Sequence, residues 1–128
     1  VVATSVGGER MSLGALMLAE LLRSEAWSVD VFTDLAAPEL VRYIHEAQPD
    51  AIFVSCSRPE RLEAGKSLLG ELRAEFPDRM ILAGGSAFTS DPAGAKLAGA
   101  SHVQASLEEA KAVVMNEAKR RRKISLVG

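Results

Sequence analysis

The chain has a single cysteine, Cys56, so no disulfide can form within it and no C-x-x-C pair exists. It has two histidines, His45 and His102, and no H-E-x-x-H, which removes the common helix-borne zinc protease arrangement. A G-x-S-x-G nucleophile elbow is missing, as is a G-x-G-x-x-G after the first expected strand. Aromatic residues make up only 5% of the chain, and Trp27, Phe32, Tyr43, Phe53, Phe76 and Phe88 are too scattered to form a stacking platform. Apolar runs are short and broken by charges, so none reads as a membrane span. The opening VVATSVGG lacks the charged-then-apolar order of a secretion signal. Absence of a disulfide framework and of a targeting segment leads to the expectation of a cytoplasmic protein.

What is present is 128 residues at 48% hydrophobic and 25% charged, the profile of one globular domain. A chain of this length buries roughly 65–70% of the surface its unfolded form exposes, enough for a core without disulfides or a structural metal. It opens on Val1, inside an expected strand, which suggests a module of a longer protein. Net charge is −2, yet Lys119, Arg120, Arg121, Arg122 and Lys123 carry five of the fifteen basic residues. The remainder sets ten basic residues against seventeen acidic, a formal charge of −7. An acidic body argues against direct nucleic-acid binding, because nonspecific affinity comes mainly from neutralising phosphates. The expected division is a domain over residues 1–118 and a basic tail or linker over 119–128, with a solvated helix end as the simplest reading of the basic run.

Apolar runs alternate with amphipathic stretches along the whole chain, the pattern of βα units around a parallel sheet. Expected strands are Val1–Val6, Ser28–Thr33, Ala51–Ser55, Met80–Ala83 and His102–Gln104. The first helix is expected behind a Ser12 cap, with Leu13, Met17 and Leu21 on one face. Others are expected over Pro38–Gln48 and Pro59–Phe76, after Asp91-Pro92 as far as Gly99, and from about Ser106, where Glu109 completes a capping box. Five strands and five helices suit a flavodoxin-like, Rossmann-type three-layer sandwich with strand order 2-1-3-4-5, whose ligand crevice lies at the carboxyl ends of strands one and three. That topology nominates three loops: Gly7–Gly14, Ser55–Pro59 and Gly84–Ser90.

Two look-alikes fail. Gly65-Lys66-Ser67 imitates the end of a phosphate loop, but Glu60 stands where its first Gly belongs and the string lies within an expected helix. A phosphoacceptor receiver needs an Asp ending strand three and a Lys after strand five, whereas strand three here runs into Ser55-Cys56-Ser57 and no Lys follows strand five.

The three nominated loops carry Glu9-Arg10-Met11-Ser12-Leu13-Gly14, Ser55-Cys56-Ser57 and Gly84-Gly85-Ser86-Ala87-Phe88. In this order and at these spacings they resemble the cobalamin (vitamin B12)-binding domain family over Val1 to about Val114, where the first loop reads Asp or Glu-x-His-x-x-Gly, a Ser-x-Leu or Ser-x-Thr follows strand three, and Gly-Gly follows strand four. Leu97-Ala98-Gly99-Ala100 also fits. Arg10 beside Glu9, Trp27, and Ala87-Phe88 after the paired glycines look more like the sensory and regulatory members than the large mutases.

The resemblance implies a His on the lower face of cobalt, an acidic residue orienting it, serines bonding the displaced dimethylbenzimidazole base, and paired glycines leaving room for the nucleotide tail in a slot between sheet and helices. Cofactor-binding candidates are therefore Glu9, Met11, Gly14, Ser55, Ser57, Gly84, Gly85 and Phe88. Met11 occupies the His position. A thioether is a soft, weak ligand better suited to haem iron or copper than to cobalt(III), so Met11 is at most a weak metal candidate and Glu9 has no His to orient.

Three readings stay open: cobalamin with its own base still on cobalt, haem in its place, or an empty crevice in a protein-interaction domain. A corrinoid methyl carrier is a fourth, and Met11 counts against it. The favoured expectation is a sensory or regulatory domain without catalytic residues, whose partners are other protein domains or regulatory proteins and which contacts no membrane. His45 and His102 lie outside the three loops and read as structural or surface residues, and Cys56 as a small buried hydrophobe. Met11→His is expected to raise cobalamin affinity and displace the base; no gain would mean a closed slot.

Overall fold

A computed structural model describes residues 2–5, 20, 22–23, 30–32, 36–104 and 107–127. Its strands are β1 (Val2–Ser5), β2 (Asp30–Phe32), β3 (Ala51–Ser55), β4 (Met80–Gly84) and β5 (His102–Val103). The helices are α1 (Ala37–Ala47), α2 (Leu62–Glu75) behind a 3-10 turn at Pro59–Arg61, α3 (Ser86–Ser90), α4 (Pro92–Ala98) and α5 (Leu107–Val127). Glu20, Leu22 and Arg23 are also helical. The expected Ser12 and Ser106 caps lie outside the described residues.

All pairings are parallel, in the order β2-β1-β3-β4-β5. Four strands carry most of the sheet, since β5 adds only two rungs, Leu82 to His102 and Ala83 to Val103. This is the flavodoxin-like α/β class. The short strands β3 and β4 are buried at every position, as a parallel sheet covered on both faces requires.

Period-two alternation splits the strands between two cores. On one face Val2, Ile52, Val54, Ile81 and Ala83 meet Leu40 and Ile44 of α1, Leu69 and Leu72 of α2, and Phe88 and Ala95 beyond β4. On the other, Ala3, Ala51, Phe53, Met80 and Leu82 meet Leu22 together with Ala110 and Val114 of α5. Each fully buried Leu, Ile or Phe contributes about 1.5–3 kcal/mol of transfer free energy, so these two layers supply the main driving force.

Local chemistry sets the ends. Pro38 stands in the first turn of α1, and Gln48 ends that helix at φ 49°, its N–H donating to the Ile44 carbonyl at 2.9 Å, just before Pro49. Asp91 caps α4 by accepting from Gly94 N–H at 3.1 Å, and Gly99 ends it at φ 140°. The segment expected as one loop over Gly84–Ser90 instead contains α3, a single turn that the sequence pattern does not announce because Ser86, Thr89 and Ser90 are all poor helix formers. α5 continues through the basic run at 119–123 and beyond it to Val127; Ala118 is fully buried, and Lys119 and Arg120 are exposed.

Candidate functional site

At the carboxyl edge of the sheet the register sets Ser5, Ser55 and Gly84 in one row across β1, β3 and β4. The loops leaving β3 and β4 are bonded to each other. Cys56 N–H donates to the Gly84 carbonyl at 3.0 Å, Ala87 N–H donates to the Cys56 carbonyl at 3.1 Å, and the Ser86 hydroxyl donates to the Ser57 carbonyl at 2.8 Å. Ser86 was absent from the expected site, because a hydroxyl that closes a loop through a carbonyl leaves no signature in spacing.

Gly85 is required by this join. It sits at φ 91°, a conformation side chains rarely adopt, and a Cβ there would lie 2.4 Å from the Cys56 carbonyl oxygen. Gly84 is required by a side chain: a Cβ on it would lie 2.6 Å from Cζ of Phe53. The paired glycines therefore make room for their own fold, and the expected clearance beside Gly84 is filled by an aromatic ring.

Ser55 is 1% exposed, and among the described residues no buried side-chain nitrogen or oxygen lacks a hydrogen-bond partner. Ser57 is half-buried. Cys56 between them is fully buried, as expected, with its thiol 3.7 Å from the Arg58 carbonyl oxygen. Phe88, a cofactor-contact candidate, is 0% exposed and belongs to the core cluster that also holds Leu40, Leu69 and Ala95. Glu9, Met11 and Gly14 lie outside the described residues. Ser55, Ser57, Gly84 and Gly85 are thus brought together, and Phe88 is set beneath them.

His45 has Nε2 3.3 Å from a Glu75 carboxylate oxygen and its ring 4.7 Å from that of Phe76, tying α1 to the end of α2. His102 is exposed on β5. Among the described residues no group of three or more His, Cys, Asp or Glu is placed to hold a metal ion, and no helix is long and apolar enough to cross a membrane.

A cleft of about 270 Å³ opens at the opposite end of the sheet beside Arg73, Arg79, Ser101, His102 and Glu117. Its arginines are committed to the fold. Arg73 donates to the carbonyls of Gly99 at 2.9 Å, Pro77 at 3.0 Å and Arg79 at 2.8 Å and to the Ser101 hydroxyl at 2.7 Å, while Arg79 donates to the Pro49 carbonyl at 2.8 Å and to the Gln48 side chain. The chemistry of the nominated loops therefore stays at the carboxyl edge.

The B12 binding domain model matches residues 1–115, nearly the whole chain. The chain belongs to the B12-binding domain family. Among solved structures, a cobalamin-binding protein from Desulfitobacterium hafniense DCB-2 superposes with a TM-score of 0.79 at 16% identity, over 91% of this chain and 57% of that one. A monomethylamine corrinoid protein from Methanosarcina barkeri gives 0.77 at 16% identity, over 90% of this chain and 56% of that one. A CheY-like protein, TadZ, from Pseudomonas aeruginosa PAO1 gives 0.72 at 17% identity, over 91% of this chain and 98% of that one. At such identities these likenesses establish the fold. This B12-binding domain spans little more than half the length of the first two. No curated protein matches the chain.

At the carboxyl edge the half-buried Ser57 and the joined loops are the described groups that a corrinoid resting there would meet. The described residues do not fit a nucleotide tail passing beside Gly84, because the Phe53 ring is already there.

Proposed function

We propose that this B12-binding domain is a sensory or regulatory module that takes cobalamin at the carboxyl edge of its sheet without a histidine on cobalt. The observation that carries the reading is Met11 in the position where the family's motif has His, within a chain whose match to that family covers residues 1–115. A bound corrinoid would supply a coloured, light- and redox-responsive centre. The chain's own part is to bind and to report. Ser57 and the Gly84–Gly85 backbone would border the corrin, and the responding body would end near Ala118, with the basic run at 119–123 extending α5 beyond it.

Regulation requires two states that bind the corrinoid unequally, and the same factor must then appear in affinity for the protein partner. In this reading the partner is another protein domain, whose contact with the edge changes with occupancy. A methyl-carrier role would instead need a strong lower ligand in place of Met11.

The test is pigment retention. Purified protein is mixed in dim light with hydroxo-, methyl- and adenosylcobalamin, and separately with haem, then freed of unbound ligand by gel filtration. The expected result is stoichiometric cobalamin with the spectrum of base-on cobalt. A sharp haem band would replace the corrinoid reading with a haem one, and colourless protein from every mixture would end the tetrapyrrole reading for this chain.

A further inference from the structure

We infer that Phe53 closes the nucleotide slot of this domain, so that the chain selects corrinoids by their ring and leaves the nucleotide tail outside the fold. The inference deepens the corrinoid reading above and rests on it. Phe53 pairs with Leu82 across β3 and β4, and Gly84 lies two residues further along, so the ring and the glycine share one face of the sheet. That face is the one packed against Leu22 and against Ala110 and Val114 of α5. Cζ and Cε2 of Phe53 lie 2.6 and 2.9 Å from the point where a Cβ of residue 84 would be. The ring therefore rests directly on the glycine, at 5% exposure, in the space the missing side chain opens.

A dimethylbenzimidazole with its ribose is larger than a phenyl ring. It cannot enter beside Gly84 unless Phe53 leaves a close-packed layer in which Ala3, Leu82 and Val114 are also buried. Two features that are independent in the sequence then agree. Residue 11 offers no imidazole to take the place of the base on cobalt, and residue 53 leaves no space for the base once displaced. Phe53 is thus a specificity residue: with it in place the tail contributes nothing to affinity, and a corrinoid without a tail is bound as well as one with it.

Equilibrium titrations of the wild-type chain with aquacobalamin and with diaquacobinamide, which lacks the nucleotide, should give Kd values within threefold of each other. With the slot closed, Met11→His alone should leave cobalamin base-on, in place of the displacement expected from the sequence, while Met11→His combined with Phe53→Val or Phe53→Ala should give the base-off, His-ligated spectrum and a preference of at least tenfold for cobalamin over cobinamide. Circular dichroism identifies which of the two double variants keeps the fold, and the less disruptive Val change maintains the test if the Ala variant unfolds. A tenfold preference for cobalamin in the wild type, base-off cobalamin in Met11→His alone, or folded double variants that still hold base-on cobalamin would overturn the closed slot while leaving corrinoid binding intact. If neither the wild type nor any variant retains either corrinoid, both this inference and the function proposed above are overturned.

Discussion

At the scale of single residues, the two glycines after β4 answer to different constraints. Gly85 is held by backbone geometry, at φ 91° against the Cys56 carbonyl, whereas Gly84 is held by the Phe53 ring. Gly85→Ala should therefore destabilise by about 2–4 kcal/mol, read from the urea midpoint, since both strain and a backbone clash oppose it. Gly84→Ala should cost about 1–3 kcal/mol by overpacking, and less in a Phe53→Val background, because removing the ring relieves the contact. Equal costs in both backgrounds would show that the ring is not what constrains position 84. The Gly-Gly pair was legible in the sequence as a site feature. Its cause was not, since Phe53 lies thirty-one positions away and meets Gly84 only through the β3–β4 register.

At the scale of elements, side chains fasten the loops at the two ends of the sheet and helix to helix. Arg73, on the last turn of α2, binds carbonyls before β4 and after α4 and shares the Ser101 hydroxyl with the Ile81 N–H. Only a planar guanidinium reaches acceptors in these several directions. Arg73→Lys should lower stability by about 2–3 kcal/mol, seen as a fall of roughly 8–12 °C in Tm, with the carbonyls left partly unsatisfied. Lys66 of α2 meets Asp91 at the cap of α4 at 2.9 Å. The Lys66 ammonium, followed by the Gly94 N–H, holds the Asp91 carboxyl below its ordinary value of 3.8. A depressed folded value means that this contribution is complete above the ordinary value and disappears as pH falls through the depressed one. Asp91→Asn should accordingly flatten the acid limb of an unfolding titration below pH 3.8 and leave the slope near neutrality unchanged. The helix borders around Pro59, Pro92 and Gly99 were readable because they rest on nearest-neighbour chemistry. Helix α3 was not, being a turn imposed by the loop-to-loop bonds of Ser86 and Ala87.

At the scale of the whole molecule, a ligand that binds only the folded state must raise its stability. If cobalamin is held as proposed, a hundredfold excess over Kd should add about 2.7 kcal/mol, a rise of roughly 10 °C in Tm that scales with ligand concentration. A Tm independent of added cobalamin would contradict binding to the native state. By itself the sequence determined the alternation of strand and helix, the segregation of apolar residues to two faces and the membership of the B12-binding family, because each of these is written in local spacing and residue type. The tertiary structure alone decided that Ser55 is covered, that Phe88 belongs to the core, that α5 carries the basic run onward, and that Phe53 fills the space beside Gly84. The reason is physical: strand register and packing bring together residues distant in the chain, and whether a crevice is open or filled depends on the side chain that arrives from the neighbouring strand.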